Sequence, residues 1–416
     1  MRFWKKKPLS ATSAPCLTAA LVEIPEVTPL QGRVSPITKP RLNLLLPSLD
    51  EKHVFGGIAT ALSFFKALAG NETELRIILT DQAQAPLLQS EFWQEWKTLD
   101  CMQDDVTGKV ILPMGDRWSR TFPIRSHDRF IATGWWTAYT LLRLLDWQAS
   151  AFVKPKQTFV YLIQDFEPGF YPWSSRYLMA LSTYQDPSPV IRVFNTQLLQ
   201  TYFANYLLPN AQEYAFDPQL NSGLAAARDQ LVASGGTLQK EKILLLYGRP
   251  GTPRNGFELA CQGIQHWASQ DSNAADWQII SVGEQHAAIP LANGQHICSL
   301  GKLRLEDYAA LLSRSAMGLS LMLSPHPSYP PLEMAAFGVR VVTNTYANKD
   351  LSHLSSFIES LPIVTPESIG TSLMRVSALT RASGEMHLLP NTRNLFAPAQ
   401  TPFAFIDALN SSWLNP

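Results

Sequence analysis

Residues 318–346 read GLSLMLSPHPSYPPLEMAAFGVRVVTNTY, and their order decides the fold. The apolar stretch 319–323 has the composition of a strand buried on both faces. Residues 324–331 form a loop stiffened by four prolines. Pro330 and Pro331 suit the first turn of a helix, where a missing N–H costs no hydrogen bond. Gly338 is placed to end that helix, and residues 339–342 resume a buried strand. Glu333 then lies in the first helical turn, just beyond the carboxyl end of a parallel strand, where open α/β sheets bind ligands. A helix N-terminus favours an anion, and a carboxylate beside it can accept two hydrogen bonds from a vicinal diol. Phosphate and ribose in one place point to a nucleotide. The plainer role for Glu333 is a solvated carboxylate that only complements the helix dipole.

The same alternation runs outward in both directions. Upstream, residues 42–46 are an apolar strand, Gly56-Gly57 close the loop after it, and 58–68 have helical spacing up to Gly70. Strand, glycine loop and helix make the start of a Rossmann-like unit. Further strands are expected at 75–79, 110–112, 129–133, 158–163 and 190–193. Helices are expected in a patch at 91–96, over WWTAYTLLRLL after residue 134, and at 177–184 and 196–206. The pattern breaks into polar residues and Pro around 210–223, where the junction between two units is placed. Alternation restarts with strands at 243–247, 277–282 and 297–300, and helices at 257–267, 306–312 and 367–379. A last short helix covers 402–409. The reading is two α/β units in series, each with its ligand edge at the strand carboxyl ends.

Composition agrees with two domains in 416 residues. Hydrophobic residues make up 46%, and charged residues only 16%, well under the roughly 25% of an ordinary globular chain. Lys plus Arg and Asp plus Glu both number 34, so no basic surplus exists to drive nucleic-acid binding. No apolar run reaches the roughly 18–20 residues that span a bilayer. Cys16, Cys101, Cys261 and Cys298 are scattered without a CxxC pair, which fits a reducing cytoplasm rather than zinc or a disulfide framework. Residues 1–40 read as a flexible basic arm. Its Arg2, Lys5, Lys6 and Lys7, with Phe3 and Trp4, could touch the anionic inner face of the plasma membrane, or the arm has no partner. No G-x-S-x-G elbow, P-loop, HExxH or GxGxxG is present, which argues against serine hydrolases, P-loop NTPases, zinc proteases and nicotinamide enzymes.

Pro331, Leu332, Glu333, Met334, Ala335 and Ala336, followed by Gly338, Val341, Val342 and Thr343, resemble the C-terminal motif of GT-B glycosyltransferases of family 4. That resemblance implies two Rossmann-like domains facing across a cleft, with residues 41–220 as the acceptor domain and 221–396 as the nucleotide-sugar domain. Residues 397–416 would supply a C-terminal helix that packs back onto the first domain. It gives Glu333 the ribose, and no cofactor or metal. The family's second Glu, eight residues earlier, is Pro325 here. The runs RLNLLLPSLDEKHVFGGIATAL, YLIQDFEPGFYPWSSRYLMALSTY and LLLYGRPGTPRNGFELA are similar to rhamnosyltransferases of S-layer glycan assembly. They imply dTDP-β-L-rhamnose as donor, a lipid-linked rhamnan as acceptor, and a retained β1,2 linkage. A sugar-nucleotide epimerase and a non-catalytic nucleotide-sugar binding subunit are the alternatives.

Arg249 follows Gly248 at a strand end, and its planar fork suits phosphate. The family resemblance places such an Arg on the donor diphosphate. Where the family has Lys-Gly, this chain has Asn255-Gly256 preceded by Arg254. Lys302, after Gly301, would supply the second positive charge, and Tyr329 would contact the donor. Gly56 would approach the acceptor and Gly57 the donor. Asp165 and Glu167, at the end of strand 158–163, are the acidic candidates: Asp165 as a catalytic group orienting the acceptor hydroxyl, or simply a loop cap, and Glu167 as an acceptor contact. His53 and His127 are candidate bases near loops, His127 on the acceptor side. His326 sits beside the position of the missing Glu.

Overall fold

The computed structural model describes residues 24–49, 56–207, 211–235, 237–382, 387–393, 395–396 and 403–414. The first unit contains β1 (Gln31–Val34), β2 (Arg41–Leu46), α1 (Gly57–Ala69), β3 (Leu75–Leu79), β4 (Trp96–Thr98), β5 (Lys109–Pro113) and β6 (Thr121–Ile124). It continues with β7 (Asp128–Ala132), α2 (Trp135–Ala151), β8 (Phe159–Ile163), α3 (Ser175–Tyr184), β9 (Val190–Asn195), α4 (Gln197–Phe203) and β10 (Gln212–Phe216). Eight of these strands form one parallel sheet in the order β10-β9-β8-β7-β2-β3-β5-β4. The second unit runs α5 (Ser222–Ala233), β11 (Thr237–Leu238), β12 (Glu241–Gly248), α6 (Phe257–Gln270), β13 (Gln278–Gly283), β14 (Ile289–Pro290), β15 (His296–Ser299) and α7 (Leu305–Arg314). Then come β16 (Ser315–Leu319), α8 (Tyr329–Ala336), β17 (Arg340–Asn344), β18 (Ile358–Leu361), α9 (Pro366–Ala382), β19 (His387–Leu388) and α10 (Ile406–Leu409). Its sheet has the order β14-β15-β13-β12-β16-β17-β18, parallel except for the β14–β15 pair.

Central strands are buried and largely apolar because helices cover both faces. Every residue of β2, β3 and β8 is buried. In the second unit α8 crosses β16 so closely that a Cβ on Gly318 would stand 2.6 Å from Met334 Sδ. Gly338, at φ +73°, ends α8: its N–H donates to Ala335 O and the Val339 N–H to Met334 O, the paired bonds of a Schellman cap. The C-terminal segment returns to the first unit. Phe403, Leu409 and Trp413 join the core of Leu42, Phe64 and Val160, and Trp413 Nε1 donates to Thr158 O at 2.8 Å.

Five sequence expectations are corrected. The strand before the proline loop is Ser315–Leu319, not 319–323. Beyond Ser320, whose N–H still donates to Val342 O, the backbone bonds elsewhere, Met322 N to Asn344 Oδ1 and Leu323 N to Arg254 O. Helix α8 starts at Tyr329, so Glu333 lies in its second turn, not its first. Residues 24–40 are not a free arm: β1 pairs with β6, and Arg33 donates to the carbonyls of Cys101 and Thr121. The polar stretch near 210–223 contains β10, an edge strand that stays mostly half-exposed and therefore lacks an apolar signature. The helical patch at 91–96 is a single 3-10 turn, Glu91–Trp93, with Trp96 opening β4. The basic residues of 1–7, Cys16 and His53 lie outside the described residues.

Candidate functional site

The second unit gathers its charged groups at the carboxyl edge of the sheet. β12 ends at Gly248 and delivers Arg249. Arg249 lies over Gly283, where an added Cβ would stand 3.0 Å from Arg249 Cγ. The Gly283 N–H donates to Gly301 O at 2.9 Å, which brings the residue 301–302 turn against the end of β13. Lys302 is exposed there, and burial of part of its stem plus the neighbouring charge of Arg249 lower its pKa. Two cations therefore converge on one place. Glu333 faces the same edge from α8. Burial pushes its carboxyl up to about 7, against the pull of the Tyr308 hydroxyl. Tyr308, on α7, is held well above its ordinary value by burial and by Glu333, and its hydroxyl has no hydrogen bond of ordinary geometry among the described residues. Burial also raises Tyr247, opposed by Arg249 and reinforced by Glu333. The arrangement holds two positive side chains beside a carboxylate and two phenols, which suits a pyrophosphate joined to a ribose.

A second polar cluster lies where the two units meet. Asp165, at the end of β8, accepts from Phe166 N at 2.8 Å and from the Ser324 hydroxyl of the proline loop. Its other oxygen is 3.7 Å from Arg254 Nε. The Arg254 guanidinium also lies over the Phe170 ring at 4.2 Å. Arg254 is thus committed to the first unit's 165–170 loop. His326 accepts at Nδ1 from Ser328 N at 3.0 Å, which puts the proton of the neutral ring on Nε2. That N–H is buried and has no partner among the described residues. Burial lowers the imidazole pKa to about 4, against Asp165. Lys349 is 1% exposed, donates to Met322 O at 2.6 Å, and is pulled down to about 7 by burial, again against Asp165.

The structure therefore brings together Arg249, Lys302, Glu333, Gly248 and Gly301. It sets Asp165 and His326 at the junction, with Tyr329 reaching from the second unit toward Asn195 and Thr60 of the first. Gly56 and Gly57 open α1, and a Cβ on Gly57 would meet the Gln164 side chain at 3.2 Å, so this turn faces the same junction. Two expectations fail. Glu167 turns inward: its carboxylate accepts from Trp135 N at 2.5 Å and from the Tyr184 hydroxyl at 3.2 Å. It caps α2 and is pushed up to about 8 by burial, so it presents no free carboxylate to an acceptor. His127 precedes β7 at the amino end of the sheet, in a recess with Arg129, Lys156 and Trp413, away from the strand ends that carry the other groups. Tyr247, Tyr308 and Lys349 were not foreseen. Each is a common residue type in an unremarkable local pattern, placed by packing between elements distant in sequence.

Paired α/β units with converging carboxyl edges define the class: this is a GT-B glycosyltransferase fold. Sucrose-phosphate synthase from Thermosynechococcus elongatus superposes with a TM-score of 0.53 at 13% identity, covering 89% of this chain and 96% of that one. WaaG, a glycosyltransferase involved in lipopolysaccharide biosynthesis, superposes at 0.50 and 13% identity, covering 89% and 99%. At such identities the likeness shows the fold alone. Residues 41–197 match the WsaF N-terminal domain and residues 242–374 the WsaF C-terminal domain, and the chain belongs to the WsaF family. It is also 31% identical over 219 residues to the O-antigen biosynthesis protein RfbC of Myxococcus xanthus, a match covering 52% of this chain and 15% of that protein. The chain thus spans only a small part of that relative's length.

Proposed function

We propose that the chain transfers L-rhamnose from dTDP-β-L-rhamnose to a lipid-linked rhamnan, making a β1,2 linkage with retention of configuration, in assembly of a surface polysaccharide. The observation that carries this reading is the convergence of Arg249 and Lys302 beside Glu333. In it, residues 221–396 hold the donor, and residues 41–220 with the returning C-terminal segment hold the acceptor. Arg249 and Lys302 grip the diphosphate, Gly248 and Gly301 allow its close approach, and Glu333 accepts from the single 3′-hydroxyl of the deoxyribose. As the bond between the sugar and the diphosphate breaks, negative charge grows on the leaving oxygen, where preorganised cations stabilise it most. The leaving oxygen then takes the proton of the attacking acceptor hydroxyl on the same face of the sugar. Asp165 and Tyr329 fix the two halves around that event. Membership of the WsaF family supports the donor sugar.

The work site is the cytoplasmic face of the membrane, reached peripherally. No helix among the described residues is long and apolar enough to cross a bilayer. The test is transfer from a panel of nucleotide sugars to a rhamnose acceptor, with the anomeric configuration of the product read by NMR. The expected result is a β-linked rhamnoside from dTDP-β-L-rhamnose. Preference for a UDP-hexose overturns the substrate, and conversion of donor without acceptor overturns transfer in favour of epimerisation.

A further inference from the structure

The loop that follows β8 carries an aromatic surface that the donor site does not use. Phe166 packs its ring against Tyr202 and Tyr206 at centroid distances of 5.1 and 5.0 Å. The Tyr202 and Tyr206 hydroxyls are 3.1 Å apart, with their rings at 5.3 Å. Both residues are only half-buried, so the wall keeps an open side. From the second unit, a tight turn pairs Tyr346 with Lys349 through two backbone hydrogen bonds, with Ala347 held at φ +49°. Asn348 in that turn donates to Leu198 O of α4 at 2.9 Å, which docks the turn on the helix that carries Tyr202. Tyr346 accordingly lies near Tyr206, Tyr177 and Asp165, all of which act on its hydroxyl.

The loop's outer end adds a second, independent feature. Phe170 lies under Arg254, and Tyr171 accepts from Trp135 Nε1 at 3.0 Å. With both neighbours anchored, Trp173 stands 96% exposed, and Leu178, the residue it would staple at the start of α3, is 66% exposed. The indole therefore does nothing for the helix start. A large aromatic ring held fully in water on an anchored loop is a costly surface to leave uncovered.

We infer that Tyr177, Tyr202, Tyr206 and Tyr346 form an oligosaccharide acceptor subsite that spans both units, with Trp173 as its outer stacking platform. Ring faces interleaved with phenol hydroxyls match a neutral pyranose chain, which offers apolar C–H faces and hydroxyls in alternation. They match a bare lipid chain or a phosphate less well, because the four tyrosines carry hydroxyls and the neighbouring cations are already engaged, Lys349 by Met322 O and Arg254 by Asp165 and Phe170. Asp165 lies at its inner end, so a chain bound along the wall would enter the cleft with its terminal sugar toward the donor half. This inference rests on the transfer reading above and adds which residues read the acceptor.

The test is saturation-transfer NMR titration of the full chain with a β1,2-linked L-rhamnose tetrasaccharide, methyl rhamnoside and dTDP, using wild type, Trp173→Ala and Tyr206→Ala. The wild type is expected to bind the tetrasaccharide more tightly than the methyl glycoside. Each substitution should weaken tetrasaccharide binding about three- to tenfold while dTDP binding is unchanged. Trp173 is so exposed that its loss cannot disturb the core, which keeps the test valid if Tyr206→Ala unfolds. Equal tetrasaccharide affinity in wild type and Trp173→Ala, or no tetrasaccharide binding to wild type, overturns the subsite. Loss of binding to anionic phospholipid vesicles in Trp173→Ala, with tetrasaccharide binding intact, overturns it in favour of a membrane contact. Failure of dTDP to bind wild type that still binds the tetrasaccharide instead counts against the donor reading alone.

Discussion

The two units share an architecture and gather their charged groups at opposite ends of it. In the first, the charges sit at the amino end of the strands and satisfy one another. Arg41 bonds both Asp128 and Asp105, Arg76 reaches Asp128 and Asn43, and Arg125 reaches Asp105 and Glu74. All six ionised residues of this network are almost fully buried. In the second, Arg249, Lys302 and Glu333 gather at the carboxyl end, where open α/β sheets bind ligands. A closed network is structural, because removing one member strands its neighbours. A cluster of charges at the strand carboxyl ends is placed instead to meet a ligand.

The largest effect should follow from breaking the closed network. Asp128→Ala removes the shared partner of Arg41 and Arg76 and is expected to cost about 3–5 kcal/mol of stability, read as a lowered denaturant midpoint. Next, Arg249→Ala should reduce turnover roughly 100-fold or more, about 2.7–4 kcal/mol of barrier, with an unchanged denaturant midpoint. Turnover close to wild type would remove Arg249 from the chemistry. Glu333→Gln should then weaken dTDP binding about tenfold, measured by calorimetry.

The two raised carboxyls sharpen the same contrast through pH. Glu333 rises from 4.5 to about 7 and Glu167 from 4.5 to about 8. In each case the folded state holds the proton more tightly than the unfolded chain. The resulting stabilisation is fully present below about 4.5 and is lost as pH rises through about 7 for Glu333 and about 8 for Glu167. Both Glu→Gln variants should flatten their part of the stability profile. Only Glu333→Gln should also flatten the rise in nucleotide affinity across pH 7, because only Glu333 meets ligand in its ionised form. A matching loss in Glu167→Gln would contradict the division of labour.

The central strands were legible in the sequence because buried parallel strands are largely apolar runs, and Arg249 and Lys302 were placed by the strand ends that they follow, whereas Glu333 lies one turn further into α8 than its spacing suggested. Edge elements were not. β10 is QEYAF and β1 is QGRV, strands whose exposed faces leave no hydrophobic signature. The exact strand before the proline loop also misled. LSLML is more apolar than SAMGL, yet the latter pairs with β12 and β17, because Gly318 is the residue that admits α8. The buried network was hidden for a different reason: Arg41 and Asp128 are 87 positions apart, and no local pattern ties them. Glu167 failed as an acceptor contact because a carboxylate four residues past the end of β8 can turn toward solvent or toward a neighbouring helix start, and sequence does not distinguish the two.

The most direct test is a crystal soaked with dTDP. The account predicts pyrophosphate density between Arg249 and Lys302, with the deoxyribose 3′-hydroxyl on Glu333. Density for the nucleotide anywhere else, with those three side chains uncontacted, would contradict it.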